Sequence, residues 1–354
     1  MKILFSLFFL FFLNGFSNAG MSQENVFKSK SLYDRDLSNY NYGDLITNKG
    51  ILISQSDIIL DCKGKILDGE GKISTGILIE SYGKKIKNIK IKNCIFQNYK
   101  FNAIRIGWGV EDIYKDTIDK SKIYDYHPSN IQIENVKIIN SGSVGLYIDD
   151  YVHNVNIKDS FFYFSGAPAI YLEFSSKDNV IKNNYFYKNG FNLKKGNRET
   201  ISIDGSFNNK IISNKFESNL VGSIFLYKNC QENVSKGKSV VRKYGANNNL
   251  IAFNEFKNEK IGIWIASRQS KNLSKWDCGD KPIYKNIYYQ DYADYNKVED
   301  NSFVGVEKAI IVEGDYNTIK SNNFDRKINR SIFFPKTKRF EFMHKPQIGN
   351  LVLE

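Results

Sequence analysis

The chain has 354 residues, 42% apolar and 14% aromatic, with 50 Lys+Arg against 38 Asp+Glu and a formal net charge of +12. That length and apolar share can bury a full core and exclude a disordered chain, while only 5 Pro and 25 Gly exclude collagen-like and linker-dominated designs. The positive balance predicts attraction to a polyanion (nucleic acid, anionic membrane or acidic polysaccharide), although a composition rich in Lys and Asn produces a similar excess by itself.

Residues 1–19 read as an export signal. Lys2 supplies the positive end, Ile3 to Leu13 is apolar apart from Ser6, and Ser17-Asn18-Ala19 offers small residues for cleavage after Ala19. The apolar run is too short for a membrane span, and no later stretch approaches that length. The expectation is a periplasmic or secreted monomer without a membrane anchor, for which nucleic acid is not a natural partner. Residues 20–49 are expected to cap the N-terminal end of the fold.

The next signal is self-similarity. The pattern Asn-x-(Ile/Val)-x-x-Asn-x-Phe opens at Asn179, Asn209, Asn249, Asn296 and Asn317, with looser copies at Asn88, Asn130 and Asn154. Short alternating strands accompany the copies: Ile77/Ile79, Ile104/Ile106, Leu146/Ile148, Ile170/Leu172, Ile201/Ile203, Ile224/Leu226, Ile263/Ile265 and Ile310/Val312. Period-two alternation gives a strand with one buried face, and a unit this short buries that face only by stacking on its neighbours. Asn at the repeated turns tolerates left-handed backbone and can hydrogen-bond up a column of stacked amides. The fold class predicted is all-β: a single-stranded parallel β-helix over 50–325, with 326–354 as a C-terminal cap or tail.

Three insertions, at about 108–129, 229–246 and 268–295, leave the solenoid after these alternating strands, at one corner. Four cysteines allow three pairings. Cys230 and Cys278 lie in polar loop sequence and are the favoured bridge, whereas Cys62 and Cys94, at or beside strands, are expected as buried thiols.

If the aliphatic residues point inward, then Leu78, Arg105, Tyr147, Tyr171, Ser202, Phe225, Trp264 and Ile311 form an outward column. Its aromatic members are candidates to line a sugar-binding groove, unless the inserted loops cover them. Substrate-contacting candidates are Tyr147, Tyr171, Phe225, Trp264, Gln269 and Trp276. Two residues further along, Asp149, Glu173 and Asp204 form a carboxylate ladder, suited to general acid/base chemistry or to Ca²⁺. Beyond them stand Tyr227, Lys228 and Arg268, with Glu199 leading into the strand of Asp204. Elimination from a uronic acid needs a base at C5, a cation on the carboxylate and an acid for the leaving oxygen. Lys228 or Tyr227 would be the base or acid and Arg268 the carboxylate partner, with Asp204 and Glu199 orienting them or binding a cation.

The repeats, together with Ser54-Gln-Ser-Asp-Ile-Ile-Leu-Asp-Cys-Lys-Gly and Leu67-Asp-Gly-Glu-Gly as an opening rung, resemble the right-handed parallel β-helix families. These include pectate-lyase-like enzymes, chondroitinase-B-like and alginate lyases, and NosD-type periplasmic proteins. The stretches Glu199-Thr-Ile-Ser-Ile-Asp204-Gly-Ser and Ser223-Ile-Phe-Leu-Tyr-Lys228-Asn resemble the two rungs that carry the Lys and Arg of chondroitinase-B-like lyases, with Asp204 and Lys228 at the matching positions. Gly-His-Gly and Asp-Pro-His-Asp, signatures of polygalacturonase-type hydrolases and mannuronan epimerases, are absent. The leading expectation is cleavage of an acidic polysaccharide by β-elimination, with no certain cofactor. The alternatives are a glycoside hydrolase using Asp149, Glu173 or Asp204, and a non-catalytic polysaccharide-binding or periplasmic assembly protein.

Overall fold

The structure, a computed structural model, describes residues 50–110, 118–191, 197–238, 240–326 and 330–354. The expected export signal and N-terminal cap lie outside the described residues. Among those described, no helix is long and apolar enough to cross a membrane.

The repeats coil into a solenoid of three parallel sheets with ten, ten and nine strands among the described residues. Each rung contributes one strand to each sheet. In the first sheet Ile77, Ile104, Leu146, Ile170, Ile201, Ile224, Ile263 and Ile310 lie in register as one inward column. All eight are fully buried, as the alternation predicts. The Phe of the repeat forms the inward column of the third sheet. Phe162, Phe186, Phe216, Phe256 and Phe303 stack with centroids 4.7–5.0 Å apart, close to the strand spacing of about 4.8 Å.

Asparagine holds the turns, and in the earlier rungs one residue does both expected jobs: Asn135 Nδ2 donates to Asn93 Oδ1 and Asn140 Nδ2 to Asn98 Oδ1, each at 2.8 Å. In the earlier rungs Asn88, Asn93, Asn98, Asn130, Asn135 and Asn140 adopt positive φ themselves. In the later rungs the left-handed position passes to the preceding residue, such as Asn183, Ser213 or Phe253. The buried Asn that follows ladders through both its backbone N–H and its side-chain amide. Asn184 donates from its backbone N–H (2.9 Å) and Nδ2 (3.0 Å) to Asn214 Oδ1. Asn214 does the same to Asn254, and Asn254 to Asn301. A parallel ladder runs Asn179–Asn209–Asn249–Asn296–Asn317. A third, Asn189–Asn219, ends in Glu259, whose Oε1 accepts from Asn219 N–H at 3.1 Å and from Nδ2 at 2.9 Å. Burial pushes the Glu259 carboxyl up to about 8.

Residues 326–354 add a strand to two sheets: Arg330–Phe333 pairs with Lys308–Val312, and Leu351–Leu353 with Thr318–Lys320. Between them a short helix, Lys338–Met343, is capped by Thr337, and Phe342 stacks on Tyr284 at 3.9 Å.

Both pairs of cysteines are bridged. Cys230–Cys278 forms as expected and ties two inserted loops. Cys62–Cys94 corrects the expectation of buried thiols. The two residues lie on consecutive rungs with Cα atoms 4.8 Å apart, within the range a disulfide spans. All three insertions leave the C-terminal ends of first-sheet strands, so that sheet's outer face is the one they can cover.

Candidate functional site

The outward column of the first sheet is in the predicted register: Leu78, Arg105, Tyr147, Tyr171, Ser202, Phe225, Trp264 and Ile311. It is not an open groove. Tyr171 and Phe225 are buried, and Tyr147 and Trp264 half-buried. Tyr147 and Tyr171 stack face to face at 5.1 Å, and each hydroxyl donates to an acid of the next column: Tyr147 to Glu173, and Tyr171 to Asp204 at 2.8 Å. Trp264 Nε1 donates to Glu313 at 3.0 Å. These rings serve the charged network more than they present a surface.

The carboxylate ladder does not converge on a metal site. Asp149 is held by Arg105 at 2.6 Å, in space left by Gly107, where a Cβ would lie 2.6 Å from Asp149 Oδ2. Glu173 and Asp204 are bridged by Arg242, whose Nη1 donates at 2.9 Å to each. Among the described residues no group of three His, Cys, Asp or Glu is placed to hold a metal ion. Three like charges on neighbouring rungs need cations, and here arginines supply them. Asp204 also accepts from Asn229 N–H at 3.0 Å and Asn229 Nδ2 at 2.7 Å. Burial and Asp204 push the Glu173 carboxyl up to about 7, against the pull of Arg242.

A second cluster stands beside this one and centres on Tyr227, which is fully buried. Its hydroxyl donates to Glu199 Oε1 at 2.8 Å and accepts from Arg198 Nη2 at 2.9 Å. Arg268 lies over the Tyr227 ring at 3.8 Å, with Nε donating to Asn229 Oδ1 at 3.3 Å. Burial alone would raise the Glu199 carboxyl, but Arg198, then Arg268 and the Ser202 hydroxyl, hold it well below the usual carboxylate range. Burial and Glu199 push the Tyr227 phenol up. Trp276 is half-buried, with its ring 5.7 Å from Arg268 and 4.9 Å from the ammonium of Lys271. The exposed Lys271 is pushed down to about 8, by desolvation first and then by repulsion from Arg268 and Arg198.

Other expected residues hold the scaffold. Lys228 Nζ is paired with Asp280 at 2.6 Å, which makes it a poor free base. Gln269, expected to touch substrate, is buried and accepts from the Asp291 N–H at 2.8 Å. Asp291 in turn accepts from the Lys228 N–H at 2.6 Å and the Arg268 N–H at 2.7 Å, pinning two strand ends together. Burial pushes the Asp291 carboxyl up to about 7.

The structure therefore brings together Tyr227, Glu199, Arg268 and Trp276, and separately Glu173, Asp204, Tyr147 and Tyr171. Sequence reasoning missed Arg198, Arg242, Lys271 and Asp291, all from connecting segments with no repeat register. One signal for Arg242 existed: acids stacked on adjacent rungs demand a cation, and the nearest insertion carries this arginine.

Comparison with solved structures finds the same kind of solenoid. An alginate lyase from Paenibacillus sp. str. FPU-7 matches at 10% identity and a TM-score of 0.48, over 87% of this chain and 77% of that one. A tailspike protein double mutant of E. coli bacteriophage HK620, in complex with pentasaccharide, matches at 11% identity and a TM-score of 0.51. That alignment covers 86% of this chain and 48% of the tailspike, so the chain spans about half the tailspike's length. At such identities the likeness concerns the fold alone. No match is found among curated protein sequences. Residues 47–270, well over half of the chain, match the family model for the right-handed β-helix region, and the protein belongs to that family.

Proposed function

We propose that this is an exported carbohydrate-active enzyme that binds an acidic polysaccharide at the loop-covered face of the first sheet and cleaves it by β-elimination. The observation that carries this reading is the cation cluster of Arg198, Arg268 and Lys271 around Tyr227 and Trp276. Arg268 is held by an aromatic face and an amide oxygen, and no carboxylate lies within ion-pair distance of it among the described residues. That is the state of a guanidinium reserved for an incoming carboxylate, which it can take bidentately. Two disulfides among the described residues support export, and the +12 charge suits an anionic polymer.

In this reading Arg268 neutralises the uronate carboxylate and stabilises its enolate-like form, while Arg198 stays paired with Glu199 at 2.9 Å and holds the Tyr227 hydroxyl. Lys271, pushed down to about 8, replaces Lys228 as the base. It takes the C5 proton, the C4–C5 double bond forms as the C4–oxygen bond breaks, and the proton returns from Lys271 to the leaving oxygen.

The test is incubation with a panel of uronic-acid and capsular polysaccharides, followed by ultraviolet absorbance of the unsaturated uronate. Activity should rise with pH up to about 8, as Lys271 loses its proton. Arg268→Ala should lower kcat/KM by about 10²-fold or more. Full activity in both Arg268→Ala and Lys271→Ala sinks the assignment. A second reading, hydrolysis by Glu173 and Asp204, is favoured by one observation: two neighbouring acids, one raised to about 7, as an acid/base pair requires. It produces new reducing ends without that absorbance.

A further inference from the structure

The third sheet presents a surface that neither cluster uses. On the other rungs its outward residues are a mixture of charged, polar and single aliphatic side chains, as at Ile95/Gln97, Lys137/Ile139, Lys215/Glu217 and Glu255/Lys257. On two adjacent rungs they are all aromatic. Phe161 faces Tyr185 and Tyr163 faces Tyr187 across the ladder, with centroids 5.5 and 5.7 Å apart. Along the strands the separations are 6.2 and 6.0 Å, which completes a two-by-two array. Phe164 and Phe191, stacked at 5.1 Å, extend it into the turn. All four rings of the array are half-buried and Phe164 is 38% exposed, although the inward side of both strands already supplies core residues Phe162 and Phe186. Aromatic residues have no need to face outward here for the fold.

Charge completes the feature. Lys137 precedes the Phe161–Tyr185 column and Lys215 follows it, roughly 14 Å apart at three strand steps of about 4.8 Å. Lys188 places its ammonium 5.0 Å from the Tyr187 ring. All three lysines are exposed, and Lys137 and Lys188 have no carboxylate partner among the described residues. A flat aromatic patch alone would suit any apolar partner. Lys215 is itself paired with Glu255 at 3.5 Å, and Tyr185 donates to Glu217 at 2.7 Å, so the ammonium groups left for a ligand are Lys137 at one end of the column and Lys188 at the turn. With these beside it, the patch suits a ligand with apolar C–H surfaces and acidic groups at intervals.

We propose that this face of the third sheet binds an acidic glycan strand, with Phe161, Tyr163, Tyr185 and Tyr187 packing against sugar C–H groups and Lys137 and Lys188 pairing with its acidic groups. The site shares a ligand class with the reading of the arginine cluster but lies on a different sheet and needs no cleavage. It would hold polymer to the solenoid independently of the first-sheet loops.

Affinity electrophoresis of the full chain through gels containing alginate, heparin or dextran tests this. The two acidic polymers should retard the protein and dextran should not. Tyr163→Ala/Tyr187→Ala should weaken the apparent affinity about tenfold. Lys137→Gln/Lys188→Gln, at two exposed positions, should weaken it and flatten its salt dependence, while Arg268→Ala should leave most of the retardation in place. The proposal is overturned if the wild type is not retarded or if both double variants, folded by circular dichroism, behave as wild type. It is also overturned if sedimentation shows a wild-type dimer that the tyrosine variant dissociates, since the face would then contact a second copy. Retardation that follows the tyrosines and lysines without cleavage of any polymer would sink the elimination reading and leave this one standing.

Discussion

The outer faces of the first and second sheets are each built from ten parallel strands stacked rung on rung, yet they differ in kind. On the second sheet, Lys90 and Lys158 flank Glu134 at 2.9 and 3.2 Å, with side chains about a third exposed. Such pairs contribute little, because water competes for both partners. On the first sheet, the Arg242 side chain is 12% exposed between Glu173 at 12% and Asp204 at 0%. The strands do not make this difference. The three insertions all emerge at one corner and fold over one face, and removing water there turns a row of charges into a network in which each ion depends on its partner.

Arg242→Ala should give the largest effect. It strands two buried acids and should cost about 3–5 kcal/mol in denaturant unfolding, with partial recovery when Asp204→Asn is added. A loss below about 1 kcal/mol would show that the covered face is wetter than the geometry describes.

Glu259 should respond to pH in the opposite sense to an ordinary paired carboxylate. Its folded-state value of about 8 lies above the ordinary carboxyl value of 4.5. The folded state therefore keeps a proton that the unfolded chain releases, and stability falls as pH rises from about 4.5 to about 8, by about 1.4 kcal/mol per unit from this group. Glu259→Gln offers the same acceptor plus a permanent donor. It should abolish that slope and gain about 3 kcal/mol at pH 7, read from melts across pH.

Asn254→Ala should cost about 1–3 kcal/mol, because Asn214 loses an acceptor for two donors within the core. Lys158→Ala, on the open second-sheet face, should fall within about 0.5 kcal/mol. Equal losses from Arg242→Ala and Lys158→Ala would erase the distinction between the two faces.

Much of the fold was legible because the repeat writes the same physical demand many times. The inward Ile and Phe columns, the Asn ladders and the corner bearing the insertions all follow from spacing. The site was legible only in part. Tyr227, Glu199 and Arg268 were found because they sit on or beside strands whose register is countable. Lys228 and Gln269 were found by the same counting, but loop partners absorb them: Asp280 takes the ammonium, and Gln269 supports Asp291. The pairing of Cys62 with Cys94 was not legible in the flanking residues, because it depends on the two positions coming into register on consecutive rungs.

The sequence by itself determined that the chain stacks rungs, which residues face the interior, and which face of the solenoid carries the loops. Periodicity makes these local rules additive along the chain. Only the tertiary structure decided that Arg242 takes the place offered to a metal, that Arg198 and Lys271 join Arg268 around Tyr227 and Trp276, and that the exposed aromatic array lies on the third sheet. The cations come from segments outside the repeat, where sequence distance says nothing about approach. The array depends on which outward columns the loops leave in water, and that is settled only when the loops have folded.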